Sequence, residues 1–277
     1  NASAISRQLP LYWGPQPFTS GPVYVGAIIV FLFVLALFVV KSRFKWWLLI
    51  ATLLSVFLAW GKHFMPLTEF FLHYIPAYNK FRAVSMTLVI AELSMPVLAI
   101  LALDEIIKKR LPSKLLLKYL KNAFYICAGL ALVIVIFANN MFSFTSESDI
   151  RLGFPAWLMD ALKEDRLALL RADALRSLAF VVMAFLLLFF YLKNKLKASW
   201  LIPAFILLFL IDMWPVCHRY LDASDFVVKR KAEKPFQPGA ADNAILQDTT
   251  KYYRVLNLTE AYDQSARSHV GPHRGCD

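Results

Sequence analysis

Cysteine is scarce in this chain of 277 residues, which has only Cys127, Cys217 and Cys276. The first falls in an apolar run, the second follows one, and the third lies near the end of the chain. Cys217 stands beside His218, but adjacent residues without further convergent donors do not make a zinc site. The cysteines therefore indicate neither a metal centre nor a disulfide framework.

The motifs of common nucleotide-dependent and hydrolytic enzymes are also missing. The sequence has no P-loop, no GxGxxG, no HExxH and no GxSxG. Nucleotide-driven transport and the familiar hydrolase chemistries therefore have no support. Any function must depend on less specific groups of residues.

Hydrophobic residues, in contrast, are abundant. They make up 59% of the chain, aromatics make up 15%, and the mean hydropathy is +0.54, which together indicate a surface in contact with membrane lipids. The formal charge of +11 does not indicate a nucleic-acid partner, because Lys and Arg cluster in short loops between apolar runs.

The apolar runs predict an all-α polytopic membrane protein with about six transmembrane helices and additional interfacial helices. An outer loop, residues 1–22, precedes a transmembrane domain at 23–214. Residues 154–177 have the pattern of an amphipathic helix that lies along the outer membrane surface and continues into the fifth span. The predicted spans are 23–40, 46–60, 84–103, 122–138, 174–192 and 198–214.

Three basic loops predict the orientation. They lie at 41–45, 108–121 and 193–197, on the same side of a six-span arrangement. The positive-inside rule places these loops in the cytoplasm and both ends of the chain outside it.

The region from 215 to 277 is more polar than the rest. Residues 252–258 alternate as in a strand, which predicts the start of a small α/β or β-containing extracytoplasmic domain. No Met precedes Asn1, and no periodic pattern follows Ala261. We therefore expect a fragment of a longer protein, with an altered or truncated sequence after Ala261.

Glu92 is the first candidate functional residue, because a carboxyl group inside a span is costly and usually faces a cavity or a partner. Pro96 lacks an N–H and so leaves the carbonyl of Glu92 without its helical donor. A packing role, with Glu92 hydrogen-bonded to a neighbouring helix, is an equal alternative.

Tyr78, Lys80 and Arg82 form a second candidate group at the predicted outer end of the third span. Cations beside aromatic rings suit the phosphate and the apolar part of a lipid-linked sugar. The alternative is an ordinary interfacial belt that binds any anionic headgroup.

Arg171, Asp173 and Arg176 form the third group. Asp173 and Arg176 are one helical turn apart and are expected to pair, with Arg166 on the same polar face. The simplest interpretation is a solvated ionic face. Near a membrane boundary, the same arginines also suit a phosphate or a sugar acceptor.

Four segments resemble YfhO-type bacterial membrane proteins: residues 12–22 (YWGPQPFTSGP), 78–82 (YNKFR), 171–177 (RADALRS) and 252–257 (YYRVLN). The resemblance runs from about residue 11 to 259. Val84 departs from it, since relatives tend to have proline after the Phe-Arg pair.

The resemblance implies a fold similar to the GT-C class of glycosyltransferases, in the bacterial cytoplasmic membrane. Such enzymes take a sugar from a polyprenyl-phosphate donor and transfer it to an envelope glycan or polymer on the outer face. Their catalytic carboxylate lies in a first outer loop that this chain does not contain, so the catalytic residue stays unknown. No nucleotide or redox cofactor is implied, and nothing in the sequence supports a divalent metal. The alternatives are a lipid or polysaccharide transporter that uses Glu92 as a gate or a proton carrier, and a membrane scaffold whose outer domain binds an envelope partner.

Overall fold

The computed structural model describes residues 13, 23–76, 78–80, 84–146, 149, 153–220, 226–228, 243, 245 and 247. The chain divides into two compact units, residues 1–220 and 221–277. Few residues of the second unit are described, and the predicted strand at 252–258 lies outside them, as does the segment after Ala261.

The described part of the first unit is helical, as the sequence predicts. Its α-helices are joined by short loops and by 3-10 turns at Gly61–Phe64, Tyr78–Lys80 and Val84–Thr87. The α-helices are α1 (Ala27–Val39), α2 (Phe44–Ala59), α3 (Met65–Tyr74), α4 (Leu88–Ile107), α5 (Ser113–Met141), α6 (Ala156–Leu192) and α7 (Ala198–Tyr220).

Four of the described helical segments are long and apolar enough to cross a membrane. They are Ser85–Ile107, Ser113–Met141, Ala156–Leu192 and Ala198–Arg219. A fifth is counted if α2 and the segment Gly61–Tyr74, which are bent by 111° relative to each other, are taken as one span. These helices are typical of a polytopic membrane protein, although the number of full-length spans is four or five.

The difference from six lies in the first two predicted spans. The second, at 46–60, coincides with α2, which has 16 residues and counts only together with the bent segment after it. The first is shorter still. Its helix, α1, has only 13 residues and is about 20 Å long, shorter than a hydrocarbon core of about 30 Å. Residues 23–26 before it are not helical. Gly26 has a φ of 102°, a backbone conformation that residues other than glycine rarely adopt. Because this conformation is not helical, the helix starts only after Gly26.

The short α1 is the central helix of the unit. It is apolar on all sides, and most of its side chains are buried, as expected for a helix surrounded by others. It packs against α4, α5, α6 and α7. Consequently, α1 is enclosed by protein and has little contact with lipid.

Small hydroxyl side chains join α2 to α4. The Oγ1 of Thr52 and the Oγ of Ser94 are 2.6 Å apart, and the Oγ of Ser55 donates to the carbonyl of Thr87 at 2.8 Å. Small polar residues of this kind let membrane helices approach closely and hydrogen-bond across the contact.

The long helix α6 confirms the predicted continuity of residues 154–177 with the fifth span. It continues without a break for 37 residues, about 55 Å. Its sequence contains neither proline nor glycine, the residues at which most sharp helix kinks occur. A straight helix that crosses the membrane cannot also lie flat along its surface, and the surface position of residues 154–177 stays a prediction.

The basic loops lie together at one end of the unit, which we call the basic end: residues 40–43, 108–112 and 193–197. Lys109 and Asn194 end α4 and α6 in left-handed conformations, and the Nζ of Lys109 donates to the Oδ1 of Asn194 at 2.8 Å. The rings of Phe38 and Tyr119 stack with centroids 5.9 Å apart, which places the first loop near the second.

Candidate functional site

A buried carboxylate, Asp212 of α7, lies at the opposite end of the unit. It is fully buried and accepts hydrogen bonds from the Tyr24 hydroxyl at 2.7 Å and from the Ala27 amide at 2.9 Å. The first N–H groups of a helix have no partner within the helix, and their partial positive charge favours an anion. Asp212 therefore caps α1 from a different helix.

Gly26 allows the Asp212 carboxylate to lie this close to the start of α1. A Cβ atom at this position would lie 3.4 Å from the Oδ2 of Asp212 and 3.4 Å from the ring of Phe209. The positive φ already disfavours other residues here. The capping carboxylate and the glycine thus occupy one closely packed contact.

Arg176 of α6 completes what we call the Asp212 cluster: Tyr24, Ala27, Arg176 and Asp212. Its guanidinium carbon lies 5.4 Å from the centroid of the Tyr24 ring, a cation–π contact. Its Nε and Nη1 are buried and have no hydrogen-bond partner within the described part of the chain, and the Nε of Arg171 is in the same state. Buried unsatisfied donors are costly, so these atoms are suited to an added acceptor.

Asp173 has a different partner from the one that the sequence predicts. It forms a two-point ion pair with Arg219 at the end of α7, with N–O distances of 2.7 and 2.9 Å. The predicted pair with Arg176 is wrong. The spacing within α6 allowed that pair, but α7 brings a closer cation, and the two-point contact joins the ends of the two helices.

A second buried ionic group, the loop clasp, comprises Phe144, Ser146, Asp149 and Arg166. The Nη1 of Arg166 donates to the Asp149 carboxylate at 2.6 Å and to the Phe144 carbonyl at 2.8 Å, and its Nη2 donates to Asp149 at 3.0 Å. Both charged side chains are inaccessible to solvent. The prediction that Arg166 lies on a solvated face is therefore wrong.

The loop clasp holds Asp149 ionised. Burial alone disfavours the charged carboxylate, but the hydrogen bonds from Arg166 and from the Ser146 amide outweigh it and lower the pKa of Asp149 below its ordinary value. The pair thus fixes the loop after α5 to the N-terminal half of α6.

This lowered pKa gives a pH-dependent stability. The clasp contributes fully above the unfolded-state pKa of about 4 and is lost as pH falls through the lower folded-state pKa. We expect Asp149→Asn to lower the unfolding temperature in detergent at pH 7, and the gap from the wild type to shrink below about pH 4. A gap of constant size from pH 7 to pH 3 would contradict this, and Glu164→Gln, which changes an exposed acid of α6, is the control.

Trp13 connects the N-terminal motif to the loop clasp. Its ring centroid lies 5.5 Å from that of Phe142 and 5.1 Å from that of Phe144. Phe144 has a positive φ of 54°, and its carbonyl is an acceptor for Arg166. The aromatic contact and the buried ion pair therefore support the same turn.

The second predicted group is only partly visible. Tyr78 is half-buried, its ring lies edge-on to Phe71 of α3, and its hydroxyl is buried without a hydrogen-bond partner in the described part. Lys80 is exposed. Arg82 lies outside the described residues. Tyr78 contacts α3, whereas Arg176 contacts Tyr24. The two predicted groups therefore have different neighbours.

Glu92 points away from the unit. Its side chain is exposed on α4, so within the described residues it neither faces a cavity nor forms the alternative hydrogen bond to a neighbouring helix. No group of three His, Cys, Asp or Glu side chains suited to a metal ion occurs in the part of the chain that was searched, the described residues.

Sequence reasoning missed Tyr24, Asp149 and Asp212. For Asp212 a signal existed, since it is a carboxylate within an apolar run, the same criterion that selected Glu92. The sequence also carried a signal that Arg166 is buried. It is four residues from both Leu162 and Leu170 and so shares their apolar face. Tyr24 and Asp149 had no comparable signal.

Comparison with known proteins adds no relative to this description. The resemblance to YfhO-type proteins consequently stays a prediction from the sequence. No protein-family model, curated protein or solved structure matches the chain.

Proposed function

We propose that this chain is part of a GT-C-like membrane glycosyltransferase that uses a polyprenyl-phosphate-linked sugar. It crosses the bacterial cytoplasmic membrane six times, with α1 as a short, enclosed first span and the basic end in the cytoplasm. Both ends of the chain are then extracytoplasmic, and the residues after α7, 221–277, begin an outer domain. The acceptor is an envelope glycan or polymer.

The observation that carries the proposal is the state of Arg176. Its guanidinium is held against the Tyr24 ring, and two of its nitrogens are buried without a hydrogen-bond partner within the described part. Phosphate oxygens are strong acceptors, and arginine is well suited to bind them. In the proposed orientation, Arg176 lies near the outer surface, where the donor phosphate is expected.

An apolar groove supports the same assignment. It has a volume of about 370 Å³, is open to one side and lies between α6 and α7. Met183 follows Arg176 by seven residues on α6, which places the two on nearly the same face of the helix. A phosphate at Arg176 would thus have apolar surface below it for an isoprenoid chain. The groove is lined by Met183, Leu186, Leu187, Phe190, Ala204, Leu207, Leu208 and Ile211.

The chemistry assigned to this chain is binding and charge stabilisation. A cation beside the leaving lipid phosphate stabilises the negative charge that develops as the sugar is transferred. Lys80, Arg82 and Tyr78 are proposed as further contacts at the outer surface, together with Arg171. The catalytic carboxylate is not assigned to a described residue, and no cofactor enters the proposal.

The decisive variant is Arg176→Gln in the full-length protein. A lost charge-assisted hydrogen bond is worth about 1.5–3 kcal/mol, so we expect polyprenyl-phosphate to bind at least 10-fold more weakly. Binding in nanodiscs and sugar transfer, followed by mass spectrometry, are the measurements. Lys163→Gln, which changes an accessible cation on the same helix, should leave both unchanged.

Two outcomes would contradict the proposal. Equal binding by wild type and Arg176→Gln would remove the phosphate site. Binding without transfer to any envelope acceptor, accompanied by movement of the lipid between leaflets, would favour the transporter instead.

A further inference from the structure

We propose that the exposed face of α4 docks a transmembrane helix of a partner protein, and that this helix presents a lysine or arginine to Glu92. The proposal concerns a different surface from the Asp212 cluster and does not depend on the glycosyltransferase assignment.

The face is defined by exposed apolar residues at helical spacing. Met86, Val89, Leu93 and Ile100 are 70%, 61%, 70% and 65% exposed. Intervals of three, four and seven residues place them along one stripe of the helix. The other side of α4 packs on α1 and α2. The stripe is therefore the side that faces away from the unit, and Glu92 lies beside Leu93 at its edge.

Glu92 is too deep for this stripe to face lipid alone. It lies seven residues inside the apolar segment Ser85–Ile107, about 10 Å from the end of that segment. Thr52 of α2 and Ser94 of α4, which hydrogen-bond to each other, are at a similar level. A glutamate side chain is much shorter than this depth and cannot reach the headgroups. Ionisable residues at such positions face a partner or a cavity, and the structure places Glu92 on the outside.

The chemistry of the partner follows from the acceptors at this position. Pro96 lies inside α4 and has no N–H, so the carbonyl of Glu92 lacks its usual helical donor. A carboxylate and a backbone carbonyl are thus available within one turn. An ammonium or guanidinium group carries several donors and can satisfy both acceptors, whereas lipid tails carry none.

A second copy of this chain fits the face poorly. A two-fold interface on this stripe would bring two Glu92 residues together, and like charges oppose such a contact. Nor do the described helices offer an exposed cation at this depth. Lys118 and Lys121 lie near the basic end, Arg176 belongs to the Asp212 cluster, and Arg219 pairs with Asp173. No cation of the described helices thus reaches Glu92, and we assign the cation to a partner protein.

The test uses a photo-crosslinking amino acid at Leu93 of the full-length protein, in membranes of the organism that encodes it. The control is the same substitution at Leu210, which is 57% exposed on α7. We expect a discrete adduct from position 93 only, mapped to a transmembrane segment that contains lysine or arginine. Glu92→Gln should reduce this adduct about 10-fold, as for the loss of about 1.4 kcal/mol. Glu92→Lys combined with glutamate at the partner's cation should restore it.

Three results would overturn the proposal. They are adducts with lipid alone, an adduct with a second copy of the chain, and a protein adduct that Glu92→Gln leaves undiminished. Because Glu92 is exposed, none of these variants removes an internal contact on which folding depends.

Discussion

Arg166→Leu is expected to destabilise the protein by about 3–5 kcal/mol, because it leaves the carboxylate of Asp149 buried without its cation. The variant also leaves the Phe144 carbonyl without its 2.8 Å donor. Thermal unfolding in detergent, followed by tryptophan fluorescence, measures the effect. Few other single substitutions in this unit remove a fully buried charge.

The control variants distinguish the effect of leaving a buried charge unpaired from the effect of changing the side-chain volume. Lys163→Leu changes an accessible cation on the same helix and should have little effect. The double variant Asp149→Leu with Arg166→Leu removes both charges and should be more stable than Arg166→Leu alone. If Arg166→Leu were no more harmful than Lys163→Leu, the buried pair would have no role in stability.

Asp212→Ala is the second substitution with a large expected effect, about 3 kcal/mol or more, since two hydrogen bonds to a charged acceptor are lost. The Tyr24 hydroxyl and the Ala27 amide lose their carboxylate acceptor. We expect faster hydrogen exchange at the Ala27 amide, together with a lower unfolding temperature. The local exchange measurement distinguishes loss of the helix cap from a general loosening of the unit.

Two further variants show how much of this loss of stability comes from the capping contact. Tyr24→Phe removes one of the two hydrogen bonds to Asp212, together with the weaker 3.3 Å bond from the Ala27 amide to the Tyr24 hydroxyl, and should cost about half as much. Glu92→Ala is the matched control, because it removes a carboxylate from another apolar helix at an exposed position. Equal losses for Asp212→Ala and Glu92→Ala would show that the capping contact adds nothing to stability.

The helices themselves were largely predictable from the sequence. The runs at 122–138, 174–192 and 198–214 lie within observed α-helices, because long apolar segments in lipid have few alternatives to helix. The run at 84–103 covers the 3-10 turn Val84–Thr87 and most of α4. The start of α1 was not predictable from apolar length. The run from 23 is continuous, but Gly26 and the distant Asp212 together determine where the helix begins.

The ionic contacts were much less predictable. Asp173 has a plausible partner one turn away on its own helix, and only the approach of α7 gives it Arg219 instead. Arg166 likewise pairs with Asp149 across a loop. Spacing along one helix gives the candidates for a pair, but the fold decides among them. Glu92 illustrates the reverse case, since its depth was predictable and its outward direction was not.

The cap on α1 also has a consequence for the order of assembly. Tyr24 and Asp212 are 188 positions apart in the chain, so α1 leaves the ribosome long before its capping residue is synthesised. During that interval the first turn of α1 has no carboxylate, and a helix of 13 residues is too short to be held firmly by lipid alone. The central helix is therefore completed last, when α7 enters the membrane, and a nascent chain arrested before residue 212 would hold its first segment only loosely.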